Sequence, residues 1–352
     1  MSHTMERLTL SGRIVTGLGQ GASFTQLDWA REQFVVGLGI DPYPGTVNIV
    51  LETSADVDKW DALKTEAGHS VVPPGPGSCR ARCYPVRLNG RLPGAIILPE
   101  VPGYPQGQIE VIAALSARET LSLSDGERIM LEISQPLPVR AVIFDVDGTL
   151  VDSVEAYRVV AEQAASPLGI AVTRDDVCRA LNTDQPFWEM LLPADQPDRA
   201  GTIKQLRDDA AGRWQDVLQM HGRTFPGLRG TLQTLQAWNM HLGIVTGSRE
   251  GSLQLLSADG LSSFFSVVIT GKDVTRRKPD PEGLLKCAEA LGVDPADAVY
   301  VGDTPLDVQA SRAAGMYSVA VLSGAGDSAL LSAAGPDWII HSHSYLFRII
   351  HN

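Results

Sequence analysis

Five short apolar runs lie in the second half of the chain, near residues 140–145, 241–246, 266–270, 298–302 and 317–322, with helix-patterned stretches between them. Strand and helix alternating in this way predict an α/β fold, a doubly wound parallel sheet covered by helices. Ligands of such sheets bind beyond the carboxyl ends of the strands. Three of the runs end there in reactive side chains. The run Val139 to Ile143 leads into Phe144-Asp145-Val146-Asp147-Gly148-Thr149, Gly243-Ile244-Val245 into Thr246-Gly247-Ser248, and Val299-Tyr300-Val301 into Gly302-Asp303-Thr304-Pro305-Leu306-Asp307. Topology alone gathers Asp145, Thr246 and Asp303 at one edge of the sheet.

Asp145 and Asp147 are two residues apart, and side chains so spaced on an extended strand start on one face. The glycine turn that follows can re-aim the second. Close carboxylates repel unless a cation or a shared proton intervenes, and Mg²⁺ with phosphate oxygens is a natural partner. A fourth piece, Arg276-Arg277-Lys278-Pro279-Asp280, puts a cation just before an expected helix start.

In order and in kind, these four motifs resemble the haloacid dehalogenase-like phosphatases, most closely their phosphoglycolate-phosphatase-like branch. The likeness runs from about Leu137 to the C-terminus. It implies that Asp145 attacks phosphorus and carries an aspartyl-phosphate, while Asp147 serves as general acid and then base. It implies that Thr246 and Lys278 hold phosphate oxygens. Mg²⁺ would be held by Asp145, Asp303 and the Asp147 carbonyl, with Asp307 orienting Lys278 or a metal-bound water. Asp147 favours hydrolysis or phosphate shuttling over dehalogenation. A phosphoglucomutase-like activity uses the same residues, and hydrolysis is the commoner use. The insertion at about 154–225 reads as helices, Val154 to Pro167, Arg174 to Leu181 and Ile203 to His221, and stands where the superfamily places a helical cap that excludes water and selects substrate.

A chain of 352 residues suggests two domains. The boundary is expected at Ser134-Gln135-Pro136-Leu137-Pro138, where two prolines make a stiff joint. Domains 1–134 and 135–352 follow. A net charge of −12 and a pI near 5.0 argue against nucleic-acid or anionic-membrane partners, which need a basic field. Cys79, Cys83, Cys178 and Cys287 lack the second pair or histidines of a zinc site and read as free thiols. No apolar run reaches membrane-spanning length and no signal-peptide core is present, so a soluble, cytoplasmic protein is expected.

Residues 1–134 read differently. Short β-rich runs at Gly12–Thr16, Val47–Leu51, Ala95–Pro99, Gln108–Ile112 and Ile129–Ile133, with helices only near Gln26–Val36 and Ser116–Leu121, predict a small β-barrel. A Gly-rich turn, Gly17-Leu18-Gly19-Gln20-Gly21-Ala22, follows the first run, and its amides could cradle phosphates. Such turns also serve other ends. Pro42-Tyr43-Pro44-Gly45-Thr46-Val47-Asn48 places Thr46 and Asn48 on one strand face, where their oxygens could bind a cation or merely hydrogen-bond a turn.

Together with Ile109-Glu110-Val111-Ile112-Ala113, Ala117-Arg118-Glu119 and Leu123-Ser124-Asp125-Gly126-Glu127, these pieces resemble the archaeal-type, CTP-dependent riboflavin kinase, a cradle-loop barrel. The likeness spans about residues 8–133. It implies CTP held by Gly17, Leu18, Gly19, Gln20, Gly21, Ala22 and by Leu115, Ser116, Ala117 and Arg118, Mg²⁺ held by Thr46 and Asn48, and flavin contacted by Glu110. Gln20 stands where the family usually has Glu, and Val101-Pro102 where it has Arg-Thr. Two readings of the whole chain follow. One is a bifunctional enzyme, an Mg²⁺-dependent phosphatase of a small phosphorylated metabolite joined to a CTP-dependent kinase of riboflavin or a related alcohol. The other is a sugar-phosphate or phosphoglycolate phosphatase whose N-terminal domain senses nucleotide or flavin, or mediates assembly.

Overall fold

The computed structural model describes residues 8–17, 24–38, 40–66, 68–75, 79–133, 137–183, 185–247 and 250–350. It forms two compact units, Met1–Pro136 with Ser328–His341, and Leu137–Asp327 with Ser342–Asn352.

The first unit contains β1 (Thr9–Val15), α1 (Asp28–Leu38), β2 (Val47–Leu51), α2 (Ser54–Leu63), β3 (His69–Val71), β4 (Ala81–Leu88), β5 (Leu92–Pro99), β6 (Gln108–Ala113), α3 (Ala117–Thr120) and β7 (Arg128–Ile133). Its strands order as β3-β4-β5-β6-β2-β1-β7, and β4 also pairs with β7, which closes an antiparallel barrel. Leu10, Ile14, Ile49, Leu88, Ile96 and Ile109 fill the interior. Side chains alternate across a strand, so Ala95 and Ile97 face outward, where α1 covers them with Ala30 and Phe34. Burial on both faces explains why β5 reads as a continuous apolar run.

Three elements between β1 and β7 depart from the sequence expectation: β3, α2 and β4. Helix α2 is present, capped by the Thr53 hydroxyl, which accepts from the Asp56 N–H at 3.0 Å. Strand β4 alternates buried residues with Arg82, Pro85 and Arg87. On one side it is shared between β3, opposite Ala81–Cys83, and β7, opposite Val86–Leu88. Neither of those two pairs with Pro85, so its missing N–H is accommodated there.

The second unit contains β8 (Ala141–Phe144), β9 (Val151–Asp152), α4 (Val154–Ala165), α5 (Arg174–Leu181), α6 (Phe187–Leu191), α7 (Arg199–His221), β10 (Arg223–Thr224), α8 (Leu228–Ala237), β11 (His241–Val245), α9 (Glu250–Ala258), β12 (Val267–Ile269), α10 (Glu282–Leu291), β13 (Ala298–Gly302), α11 (Pro305–Ala313) and β14 (Tyr317–Val321). Within it β12-β11-β8-β13-β14 run parallel. The central strand β8 is buried throughout. Helices α4 to α7 form the cap, entered and left through the antiparallel ribbon β9–β10, and they share a core of Val154, Ala161, Val177, Trp188, Ile203 and Leu206. The cap also holds α6, which the sequence reading omitted, and α7 starts four residues before the expected Ile203. Helix α12 (Ser328–Ala334) and β15 (Trp338–Ile340) belong to the first unit, where Arg87 donates to the carbonyls of Gly335, at 3.3 Å, and Pro336. Among the described residues no helix is long and apolar enough to cross a membrane.

Candidate active sites

In the second unit Asp145 follows β8, Thr246 follows β11 and Asp303 follows β13, all at carboxyl ends of neighbouring strands. Asp145, Asp303 and Asp307 are each buried, and their ligand oxygens lie within 4.8 Å of one another. Lys278 joins them, its ammonium donating to Asp307 Oδ1 at 2.6 Å, Asp145 Oδ1 at 2.9 Å and the Tyr300 hydroxyl at 3.0 Å. Tyr300 in turn donates to the Val245 carbonyl at 2.8 Å.

Local folding rules fix each carboxylate. Asp307 is the third residue of α11 and closes a capping box. Its Oδ2 accepts from the Thr304 N–H at 3.0 Å and hydroxyl at 2.7 Å, leaving Oδ1 to Lys278. Asp303 accepts from the Ala325 N–H at 2.8 Å and the Thr149 hydroxyl at 3.4 Å. Gly148 has φ +79°, and a Cβ there would come 2.2 Å from Asp303 Oδ2. Both the turn and the close approach therefore require glycine.

One cation serves three buried carboxylates, and the charge does not balance. Burial pushes the Asp145 carboxyl up to about 7; Asp307 and Asp147 add to this, and Lys278 opposes it. Asp303 is raised well above the usual carboxylate range by burial, then by Asp307 and Asp145. Burial pulls the Lys278 ammonium down, but Asp145 and Asp307 outweigh it and keep it charged. A cluster of hard oxygen donors with surplus negative charge fits a divalent cation such as Mg²⁺.

The Asp147 carboxylate stands apart from the acidic cluster. It accepts from the Ser252 hydroxyl at 2.7 Å and the Tyr157 hydroxyl at 3.4 Å, so the turn has re-aimed it toward α9 and α4. Asp145, Asp147, Thr246, Lys278, Asp303 and Asp307 all line one cavity of about 300 Å³. Tyr300, Tyr157 and Ser252 escaped the sequence reading. Tyr300 had a signal, since a phenol inside an apolar central strand needs a partner. Ser252 and Tyr157 had none.

In the first unit Thr46, Leu115, Ser116, Ala117 and Arg118 line a cavity of about 130 Å³. Asn48 Nδ2 reaches the Thr46 hydroxyl at 3.4 Å, and the Thr46 hydroxyl donates to Glu110 Oε2 at 3.1 Å. Asn48 and Glu110 are direct partners across β2 and β6. Tyr104, also unforeseen, donates to Glu110 Oε1 at 3.2 Å. A Cβ on Gly17 would lie 2.1 Å from Asn48 Nδ2, so the chain leaving β1 passes directly over Asn48. Arg118 donates to Asp125 at 2.6 Å, and the Thr16 hydroxyl donates to the same carboxylate. Leu18, Gly19, Gln20, Gly21 and Ala22 lie outside the described residues.

Comparison with known proteins finds two families on the chain. Residues 142–321 match the family of haloacid dehalogenase-like hydrolases. Residues 14–133 match the CTP-dependent riboflavin kinase family, described as a domain of unknown function. Phosphoglycolate phosphatase of Neisseria meningitidis is 34% identical over 217 residues, 58% of this chain and 90% of that protein. Phosphoglycolate phosphatase of Escherichia coli K12 is 32% identical over 225 residues, 58% of this chain and 89% of that protein. Among solved structures, a haloacid dehalogenase-like hydrolase from Bacteroides fragilis superposes with a TM-score of 0.53 at 28% identity, covering 58% of this chain and 97% of that one.

Proposed function

For a chain that belongs to the haloacid dehalogenase-like hydrolases, we propose that the second unit is an Mg²⁺-dependent phosphatase of small phosphate monoesters. The reading rests above all on the buried cluster of Asp145, Asp303, Asp307 and Lys278 at the end of the cavity. A carboxylate oxygen of Asp145 attacks phosphorus, the bond from phosphorus to the ester oxygen breaks, and Asp147 gives that oxygen its proton. Asp147 then takes a proton from water as the water attacks the aspartyl-phosphate, which releases inorganic phosphate and restores Asp145. Lys278 and Thr246 hold the phosphoryl oxygens, and phosphoryl transfer depends chiefly on such positioning and charge. Mg²⁺ held by Asp145, Asp303 and the Asp147 carbonyl would supply the positive charge that Lys278 alone lacks. Because these relatives are phosphoglycolate phosphatases, phosphoglycolate is the first ester to try.

The first unit is proposed to transfer phosphate from CTP to riboflavin or a related alcohol, with Thr46 and Asn48 as metal ligands, Leu115 to Arg118 and the Gly17 turn at the nucleotide, and Glu110 at the acceptor. The convergence of Thr46, Asn48 and Glu110 supports this. Val101-Pro102, which offer no hydroxyl, favour a second reading in which nucleotide or flavin binds without turnover. An Asp145→Asn chain, with its phosphatase silenced, decides between them. Incubated with Mg²⁺, riboflavin and CTP or ATP, it should form FMN with CTP. Calorimetric binding of CTP without phosphorylation of riboflavin or of any related alcohol supplied would favour the sensing reading.

A further inference from the structure

A second cavity, of about 360 Å³, adjoins the catalytic one inside the cap. The two share Tyr157, Ala180, Leu181 and Gly247 as walls. Tyr157 joins them chemically as well. Its hydroxyl reaches Asp147 in the catalytic cavity, while its ring packs on Trp214 with centroids 4.3 Å apart. Phe187 and Trp188, also in the lining, meet edge to face at 4.9 Å. Trp188 and Trp214 are only 7% and 8% exposed, so both are held in place. Ala161, Ala210 and Ala211 are the small residues that leave room beside these rings. Arg207, half exposed and 3.7 Å from Glu189, and Gln185 are polar groups of the lining.

An acid of two carbons bearing a phosphate would leave this annex empty. Four aromatic side chains in one lining, with alanines among the other residues, form the kind of surface on which a planar ring stacks. We propose, on the basis of the phosphatase reading above, that the preferred substrate is a phosphate monoester whose alcohol carries a planar aromatic or heteroaromatic ring. The phosphate occupies the cavity of Asp145 and Lys278, and the ring enters between Tyr157–Trp214 and Phe187–Trp188. Arg207 and Gln185 offer hydrogen bonds to acceptors on the ring's edge.

The test is a matched pair of esters, FMN and ribitol 5-phosphate, given to the full chain with Mg²⁺ and no nucleotide. Both present the same primary alkyl phosphate, so the leaving alcohol is alike and only the ring differs. FMN should show a kcat/KM higher by about ten-fold or more, the scale of one stacked ring. Ala211→Trp, which fills the annex from an exposed helix position, should bring the ratio of the two esters toward one. Phe187→Ala, which removes a stacking face, should reduce it in the same direction. Equal kcat/KM for the two esters in the native chain would overturn the inference, as would a preference for FMN that both variants leave intact. If phosphoglycolate and ribitol 5-phosphate are hydrolysed and FMN is not, this inference alone fails. If no ester is hydrolysed faster than by the Asp145→Asn chain, the phosphatase reading fails and takes the inference with it.

Discussion

Lys278 is outnumbered three to one by the buried carboxylates around it, and this imbalance makes specific demands on pH and metal. The Asp145 carboxyl titrates near 7 in the folded chain against 3.8 for the free group. Between those values the folded state holds a proton that the unfolded state releases, so ionisation of Asp145 costs stability as the pH rises through this window. A dication reverses that cost only where the carboxylate is ionised. Mg²⁺ should therefore raise the melting temperature clearly at pH 8 and little at pH 5.5, as scanning calorimetry with and without the ion would read. Asp147→Asn should lower kcat by roughly 10²- to 10⁴-fold, the usual worth of a positioned proton donor. Tyr300→Phe leaves the Val245 carbonyl without that donor and Lys278 without one acceptor. A stability loss of about 1–3 kcal/mol in denaturant titration is expected from the unsatisfied group, together with weaker phosphate binding. The residues that the motifs could announce were those fixed by local rules, such as the Thr304–Asp307 capping box. Tyr157 and Ser252 meet Asp147 only because α4 and α9 bring them there, and no local pattern records that.

Elements were legible where burial has a simple period. The strands β8, β11, β13 and β14 lie buried in a parallel sheet and read as apolar runs. Strand β4 did not, because its partly exposed positions hold Arg82, Pro85 and Arg87 and its pairing changes partner midway. Helix α2, with Asp56, Asp58 and Asp61 among its ten residues, presents only a narrow apolar stripe through Trp60 and Leu63. A burial unseen in sequence also gives α8 a pH response. His343 Nδ1 lies 2.9 Å from the Thr231 hydroxyl of α8, and burial lowers the imidazole from 6.5 to about 4. Below pH 6.5 the unfolded chain binds a proton that the folded chain refuses. Stability present above 6.5 is then lost as the pH falls toward 4, by on the order of 3 kcal/mol. His343→Gln should flatten that part of the stability curve, and urea titrations at pH 7 and 4.5 would show it.

At the scale of the molecule, the two proposed phosphoryl-transfer sites lie on one chain, each within its own unit. Inactivating one should leave the other's chemistry intact. An Asn48→Ala chain should lose nucleotide turnover while its hydrolysis of phosphoglycolate changes less than about two-fold, since the two positions belong to separate units. The sequence expectation of one joint near 134–138 assumed that each unit is a continuous stretch. The described fold is otherwise arranged, because residues 328–341 follow β14 in the chain yet count with the barrel. Returning segments of this sort leave little trace in local pattern, since an amphipathic helix reads alike whichever unit it covers.

That return has a practical meaning for anyone wishing to take the protein apart. The polypeptide passes between the units three times, at 136–137, 327–328 and 341–342. Proteolytic nicking at 327–328 or 341–342 would leave residues 1–136 and 137–327 on one polypeptide, whereas a nick at 136–137 would free residues 1–136 as a separate one. A gene fragment ending at 134 would omit the Gly335 and Pro336 carbonyls that receive Arg87. The complementary fragment would carry Gly335 and Pro336 without the Arg87 guanidinium that binds their carbonyls. A faithful barrel would need residues 328–341 grafted back by a linker, and its thermal unfolding compared with the ungrafted version would measure what that short excursion contributes.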